Sequence, residues 1–171
     1  MESNLNTLAA CGSTCLTPPL QSVERIICRH PFFEGMSPHQ LRLLSDCAMA
    51  THFNADELIF QEGDPANRFY LIHQGRVALE SYVGDDGNAL IQIVEPGEVL
   101  GWSWLFPPYF WHFNARALEP TEALFLNATP LREECESDHE LGYELMKRIG
   151  GVMMQRLHAT RWKLFGFPPK T

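Results

Sequence analysis

Residues Glu57 to Leu79 read E-L-I-F-Q-E-G-D-P-A-N-R-F-Y-L-I-H-Q-G-R-V-A-L. Apolar, aromatic and β-branched residues gather here in short runs, broken by Gly63-Asp64-Pro65 and by Gly75, residue types that favour tight turns. Glu57 to Gln61, Arg68 to Gln74 and Arg76 to Val83 are therefore expected to be strands. The pattern continues outward through Ala89 to Val94, Val99 to Trp102, Asn114 to Glu119 and Thr121 to Asn127. Asp85-Asp86-Gly87-Asn88 reads as a hairpin turn and Pro96-Gly97 as another turn. Short strands at this spacing, from about Ala48 to Asn127, predict a mainly β fold with flanking helices, an antiparallel β-roll or jelly roll.

The flanks are helical. Val23, Ile26 and Ile27 lie at helical spacing within Leu20 to His30, and Pro31 ends that segment because the residue before proline avoids the α region. Ser37-Pro38-His39-Gln40 offers an N-cap serine, a proline at the first helical position and a glutamine at the third, a capping box. Leu41, Leu44 and Cys47 form the apolar stripe of the helix it opens. Beyond Pro130, Leu141, Leu145, Ile149, Val152, Met153, Leu157, Thr160 and Leu164 recur every three or four residues. A helix of roughly 26 residues would extend about 40 Å, more than a small roll needs for cover, so it is expected to pair with its twin in a homodimer. The chain thus divides into a loosely ordered leader (1–19), a sensor roll with N-terminal helices (20–137) and a long C-terminal helix (138–167).

Composition narrows the function classes. The 171 residues suffice for one globular domain, and a net charge of −8 argues against indiscriminate binding to phosphate backbones. The charge is uneven: residues 1–141 hold 7 basic and 20 acidic side chains (−13), residues 142–171 hold 6 and 1 (+5). The C-terminal helix is then an expected docking surface for an acidic partner or for the sister subunit's body. The start of the chain has neither the basic nor the apolar region of a secretion signal, and the five cysteines have no regular spacing, so a cytoplasmic protein with reduced thiols is expected. No run approaches the length of a membrane span, and no membrane insertion is expected.

Gly63, Asp64, Phe69, Tyr70, Gly75 and Val77, followed by Pro96-Gly97 and Gly101, resemble the cyclic-nucleotide-binding domain of the Crp/Fnr-type regulators and of protein kinase regulatory subunits. Arg156-Leu157-His158-Ala159-Thr160 is similar to the R-L-x-x-T of that family's dimerisation helix, and the likeness covers roughly residues 30–165. It implies positive φ at Gly63 and Gly75, and a sheet across which Phe69 and Tyr70 point to opposite faces. It also implies a phosphate-binding segment of pattern G-E-L/I-A/G and, about ten residues on, R-A/S-A/T. There the glutamate accepts from the ribose hydroxyl and the arginine pairs with the cyclic phosphate.

Here that segment runs Gly101-Trp102-Ser103-Trp104-Leu105-Phe106-Pro107-Pro108-Tyr109-Phe110-Trp111-His112-Phe113-Asn114-Ala115-Arg116-Ala117. Anchored on Gly101 and on Ala115-Arg116-Ala117, Trp102 occupies the glutamate position and Trp111 the arginine position. Both charged contacts are missing, so cAMP and cGMP are expected to bind weakly or not at all. Arg116 is the segment's remaining cation, although in the family a basic residue there stands outside the pocket. His112 adds charge only when protonated. Seven of the 13 residues from Gly101 to Phe113 are aromatic, which leaves three readings: a pocket filled by its own side chains, a pocket for a flat or apolar ligand, or an aromatic anchor for a partner protein. Thr160 and Arg161 are expected on the helix side of this pocket.

Other chemistry is not expected. Cys11, Cys15, Cys28 and Cys135 depart from compact iron-sulfur spacing, and Cys28 and Cys47 read as buried helix positions. There is no His-x-His pair for a metal site, Glu136 and His139 decorate a solvated face, and no catalytic motif is present, so neither a cofactor nor an enzyme is expected. The family's DNA-reading module needs about 60 to 70 residues beyond the dimer helix, so direct DNA binding is not expected and output is expected to pass through a protein partner. A true small-molecule sensor, and a family transcription regulator lacking its own DNA-binding module, are the alternative readings.

Overall fold

Pro31 and Pro38 punctuate the N-terminal helices as their chemistry requires. In the computed structural model, which describes residues 19–82, 84 and 87–165, α1 spans Pro19–Arg29 and α2 spans Pro38–Asp46. The α2 capping box is present: the Gln40 N–H donates to Ser37 Oγ (3.2 Å) and the Ser37 N–H to Gln40 Oε1 (3.0 Å). Nearly all of the expected leader, with Cys11 and Cys15, and Asp85 and Asp86 of the expected hairpin turn lie outside the described residues.

Eight strands follow: β1 (Ala48–Phe53), β2 (Leu58–Phe60), β3 (Arg68–Gln74), β4 (Val77–Tyr82), β5 (Asn88–Val94), β6 (Val99–Leu100), β7 (Asn114–Ala117) and β8 (Thr121–Asn127). They form two four-stranded antiparallel sheets, β1-β8-β3-β6 and β2-β7-β4-β5, a β-roll flanked by helices. Strand β1 is absent from the runs expected from sequence. Its A-M-A-T-H-F lacks a clean period of two, and at the edge of its sheet it buries little beyond Phe53. The first sheet is covered on both faces, which is why Phe69 and Tyr70 are both buried although they point oppositely. Phe69 and Leu71 join the helix-side core with Ile27, Leu44, Leu131 and Leu145, whereas Tyr70 and Ile72 face the roll interior with Phe60, Leu79 and Phe125. Gly63 and Gly75 have φ of 88° and 82°. A Cβ on Gly75 would lie 2.5 Å from Thr121 Oγ1, so the position admits no side chain.

At the C-terminus, α3 (Ala128–Ser137) and α4 (His139–Phe165) are separate helices. Asp138 leaves helical geometry between them, and its carboxylate accepts from the Glu140 and Leu141 N–H groups (3.1 Å each), capping α4. The expected dimer seam divides in two. Leu141, Leu145 and Ile149 are fully buried in the chain's own core with Val152 packed against it, whereas Met153 and Leu157 are exposed. An apolar row that runs past the end of the chain's own core keeps the same three-and-four recurrence throughout, so the period does not separate cover for the roll from a face for a partner. Cys28 is exposed rather than buried, while Cys47 is buried at the α2 C-terminus. Among the described residues, no helix is long and apolar enough to cross a membrane.

Candidate functional site

The phosphate-binding segment begins where β6 ends. Gly101, at φ 85°, turns the chain out of the strand and into a 3-10 turn over Trp102–Leu105, so Trp102 is not the strand residue expected. A Cβ on Gly101 would meet Trp111 Cζ3 at 2.6 Å, so the glycine lets the indole lie directly on the backbone. The return limb is pinned to the Gly63-Asp64-Pro65 turn. Trp111 N–H donates to the Asp64 carbonyl (2.9 Å), Gly63 N–H to the Trp111 carbonyl (2.9 Å) and Ala66 N–H to the Tyr109 carbonyl (2.7 Å). This clamp seats Trp111 in the roll interior, 4% exposed, stacked on Phe60 with ring centroids 3.9 Å apart and planes 12° apart.

The space left is about 10 Å³, bounded by Phe60, Leu79, Gly101, Trp102, Ser103, Trp111, His112, Phe113 and Arg156. That is at or below the room one water requires. Ser103 is buried, Phe113 is half-buried against the roll core, and His112 is exposed at the rim. Tyr109 and Phe110 stand at the tip of the segment, 36% and 44% exposed, with the Arg132 guanidinium 4.5 Å over the Tyr109 ring.

Four expected pocket residues sit elsewhere. Trp104 is fully buried on the opposite side of the sheet, against Phe69 at a centroid distance of 5.7 Å, because the 3-10 turn carries it into the helix-side core. Arg116 faces outward from β7, where Ala115 and Ala117 alternate inward. It donates to the Asp56 carbonyl (2.9 Å) and approaches Glu80 Oε2 at 3.7 Å. Thr160 is exposed and donates to the Arg156 carbonyl (2.9 Å), and Arg161 is exposed; neither lines the space.

The helix instead contributes Arg156. Its Nη2 donates to the Val99 carbonyl (2.6 Å), its guanidinium lies 4.5 Å over the Trp102 ring, and its Nε is buried with no hydrogen-bond partner among the described residues. Burial pushes its pKa down to about 10, against the opposing effect of Glu98. Arg156 was legible in principle: it continues the buried series Leu141, Leu145, Ile149, Val152 by one further helical turn. Among the described residues, no three His, Cys, Asp or Glu side chains gather as a metal site.

The model of the cyclic nucleotide-binding domain family matches residues 50–138, which takes in every strand of the roll but part of β1. The chain belongs to that family. A relative from Mycobacterium tuberculosis, a CRP-like cAMP-activated global transcriptional regulator, is 24% identical over 138 residues, 81% of this chain and 60% of the relative. The chain thus spans less than two thirds of that regulator. Among solved structures, a protein named for cyclic-nucleotide binding from Geobacter metallireducens GS-15 is 29% identical, covers 80% of this chain and 98% of its own, and superposes with a TM-score of 0.71. A cyclic nucleotide-binding domain from Methylobacillus flagellatus, at 18% identity, shares the fold with a TM-score of 0.72 over 89% of this chain. The chain is accordingly a cyclic-nucleotide-binding-type regulatory domain related to the Crp/Fnr regulators.

Proposed function

We propose that this cyclic nucleotide-binding domain is a non-catalytic regulatory module whose nucleotide pocket is filled by its own side chains, and that it works through protein contacts, including contact with a second copy. The observation that carries this reading is Trp111. The indole at the arginine position of the phosphate-binding segment stacks on Phe60 and leaves about 10 Å³. A cyclic phosphate placed there finds no room, and Trp111 offers it no charge in place of the family's arginine; an unpaired anion in a low-dielectric site is costly. The exposed Tyr109 and Phe110, held on a loop bonded to the Gly63–Ala66 turn, suit a partner surface because little ordering is required to present them.

Arg156 favours a second reading, a sensor in which a flat organic anion displaces Trp102 and pairs with the buried guanidinium. Titration calorimetry with cAMP and with cGMP, joined to native mass spectrometry of the purified chain, separates the two. A filled pocket gives no heat up to about 1 mM nucleotide and no bound small molecule. Sub-micromolar binding of either nucleotide overturns the proposal, and a defined copurified ligand moves it to the sensor reading.

A further inference from the structure

Seven arginines precede Lys147. Four are held within the fold: Arg68 lies over the Phe125 ring, Arg76 pairs with Glu119, Arg116 with Glu80, and Arg132 donates to the Trp104 carbonyl. Arg25 and Arg29 are exposed and have no hydrogen-bond or ion-pair partner among the described residues. They lie one turn apart on α1, a like-charge spacing that is locally unfavourable in a helix. Both line one cavity of about 300 Å³ between α1, the end of β3 and the turn before β6, on the far face of the sheet from the filled nucleotide pocket.

The cavity has an apolar lining of Ile26 and Pro31, the backbone of Ile72, and two imidazoles, His30 and His73. His30 is 5% exposed. Its Nδ1 accepts the Phe32 N–H (3.3 Å), which places the neutral ring's proton on Nε2, and Nε2 is buried without a hydrogen-bond partner among the described residues. The Ile72 carbonyl beside it favours the charged ring somewhat but makes no well-formed hydrogen bond to Nε2, and it accepts the Gly97 N–H at 2.8 Å. Burial, with His73 nearby, holds His30 down to about 4, so at neutral pH it is an uncharged donor. A buried donor without an acceptor is costly, and a ligand oxygen relieves that cost. No carboxylate is among the described residues lining the cavity, and Glu98, beside Gly97, is committed elsewhere: it accepts the Glu95 N–H (2.7 Å) and its charge bears on Arg156. Across Ile26 and His73 the cavity adjoins a hollow of about 360 Å³ that includes Glu122, which orients an anionic group toward the arginines.

We propose that this cavity binds a small organic anion, a carboxylate or phosphate monoester on a compact apolar body. Arg25 and Arg29 hold the charged group, His30 donates to it, and Ile26 and Pro31 cover the carbon frame. The inference is independent of the nucleotide pocket, since no residue of that pocket takes part.

The test is an NMR titration of the imidazole resonances of the full chain at constant ionic strength, with phenyl phosphate, benzoate and inorganic phosphate as probes. The expected result is a saturable shift of His30 with phenyl phosphate or benzoate, the responding probe distinguishing the two anion classes. Arg25→Ala/Arg29→Ala, at exposed positions, should weaken that binding by about tenfold or more, while Arg42→Ala leaves it unchanged. Absence of a saturable shift below about 10 mM from either organic probe overturns the proposal. So does equal binding by the double variant, or inorganic phosphate binding as tightly as phenyl phosphate.

Discussion

His30 links one buried ring to the stability of the whole domain. Its folded pKa, near 4, lies below the ordinary 6.5 because burial disfavours the imidazolium. Above pH 6.5 the ring is neutral in both folded and unfolded chains and contributes no pH dependence. As pH falls from about 6.5 toward 4 the unfolded chain takes up the proton first, so stability drops by about 1.4 kcal/mol per pH unit, roughly 3 kcal/mol across the window. Glu119 is drawn below the usual carboxylate range by its hydrogen bond from Arg76. Urea unfolding at several pH values should show this slope in the native chain. It should flatten between pH 6.5 and 4.5 in His30→Asn, whose side chain can still accept the Phe32 N–H. An unchanged slope in the variant removes His30 as its source. Sequence alone placed His30 only as the last residue before Pro31, because no periodicity announces a cap whose other face is buried. Trp111 was more legible: counting from Ala115-Arg116-Ala117 assigned it to the arginine position. That it stacks on Phe60 depends on a contact 51 residues away in sequence, which counting does not supply.

At the scale of elements, runs between turn residues marked seven of the eight strands, since turn chemistry and β-rich composition are local properties. The edge strand β1 escaped because it has little to bury. The fate of α4 was set by contacts rather than by its own period. Its first half is held by Leu141, Leu145 and Ile149 and by Arg148, which donates to the Phe32 and Glu34 carbonyls at 2.7 and 2.8 Å. Beyond Ile149 few buried groups remain, and Arg156 is the principal tie, joining the helix to Val99 and Trp102. A charge-assisted hydrogen bond contributes about 1.5 to 3 kcal/mol. Arg156→Ala is therefore expected to raise amide exchange across residues 150–162 by about tenfold or more, with residues 141–149 unchanged. Arg156→Lys, which keeps the charge but loses the planar fork, should restore only part of the protection. Uniform protection in the alanine variant would mean that α4 holds to the roll without this contact.

For the whole molecule, several of the cations behind the opposition of a −13 body and a +5 tail are committed within the chain. Lys147 pairs with Glu144 (3.3 Å), Arg148 is bound to backbone carbonyls of the N-terminal region, and Arg156 is buried under Trp102. Among the described residues, three of the tail's basic groups are thus engaged within the chain, so attraction to an acidic body is a weak basis for assembly. What α4 presents outward is apolar. Tyr143, Met146, Met153, Met154 and Leu157 are all exposed, and Met153 and Leu157 continue the i+4 row of Leu141, Leu145 and Ile149 past the end of the chain's own core. Gly150 lies among them with nothing near its Cβ position, so a second helix can approach closely. Dimerisation through this face should depend on burial rather than on charge. The dissociation constant measured by analytical ultracentrifugation should change little between about 50 and 500 mM salt, a range that screens exposed ion pairs but not apolar contact. Met153→Asp/Leu157→Asp should weaken the dimer by about a hundredfold, ~3 kcal/mol, with the helical circular dichroism retained. A monomeric native chain at about 100 μM would overturn dimerisation through α4, and a dimer that dissolves with salt and persists in the double variant would replace the apolar face with an electrostatic one.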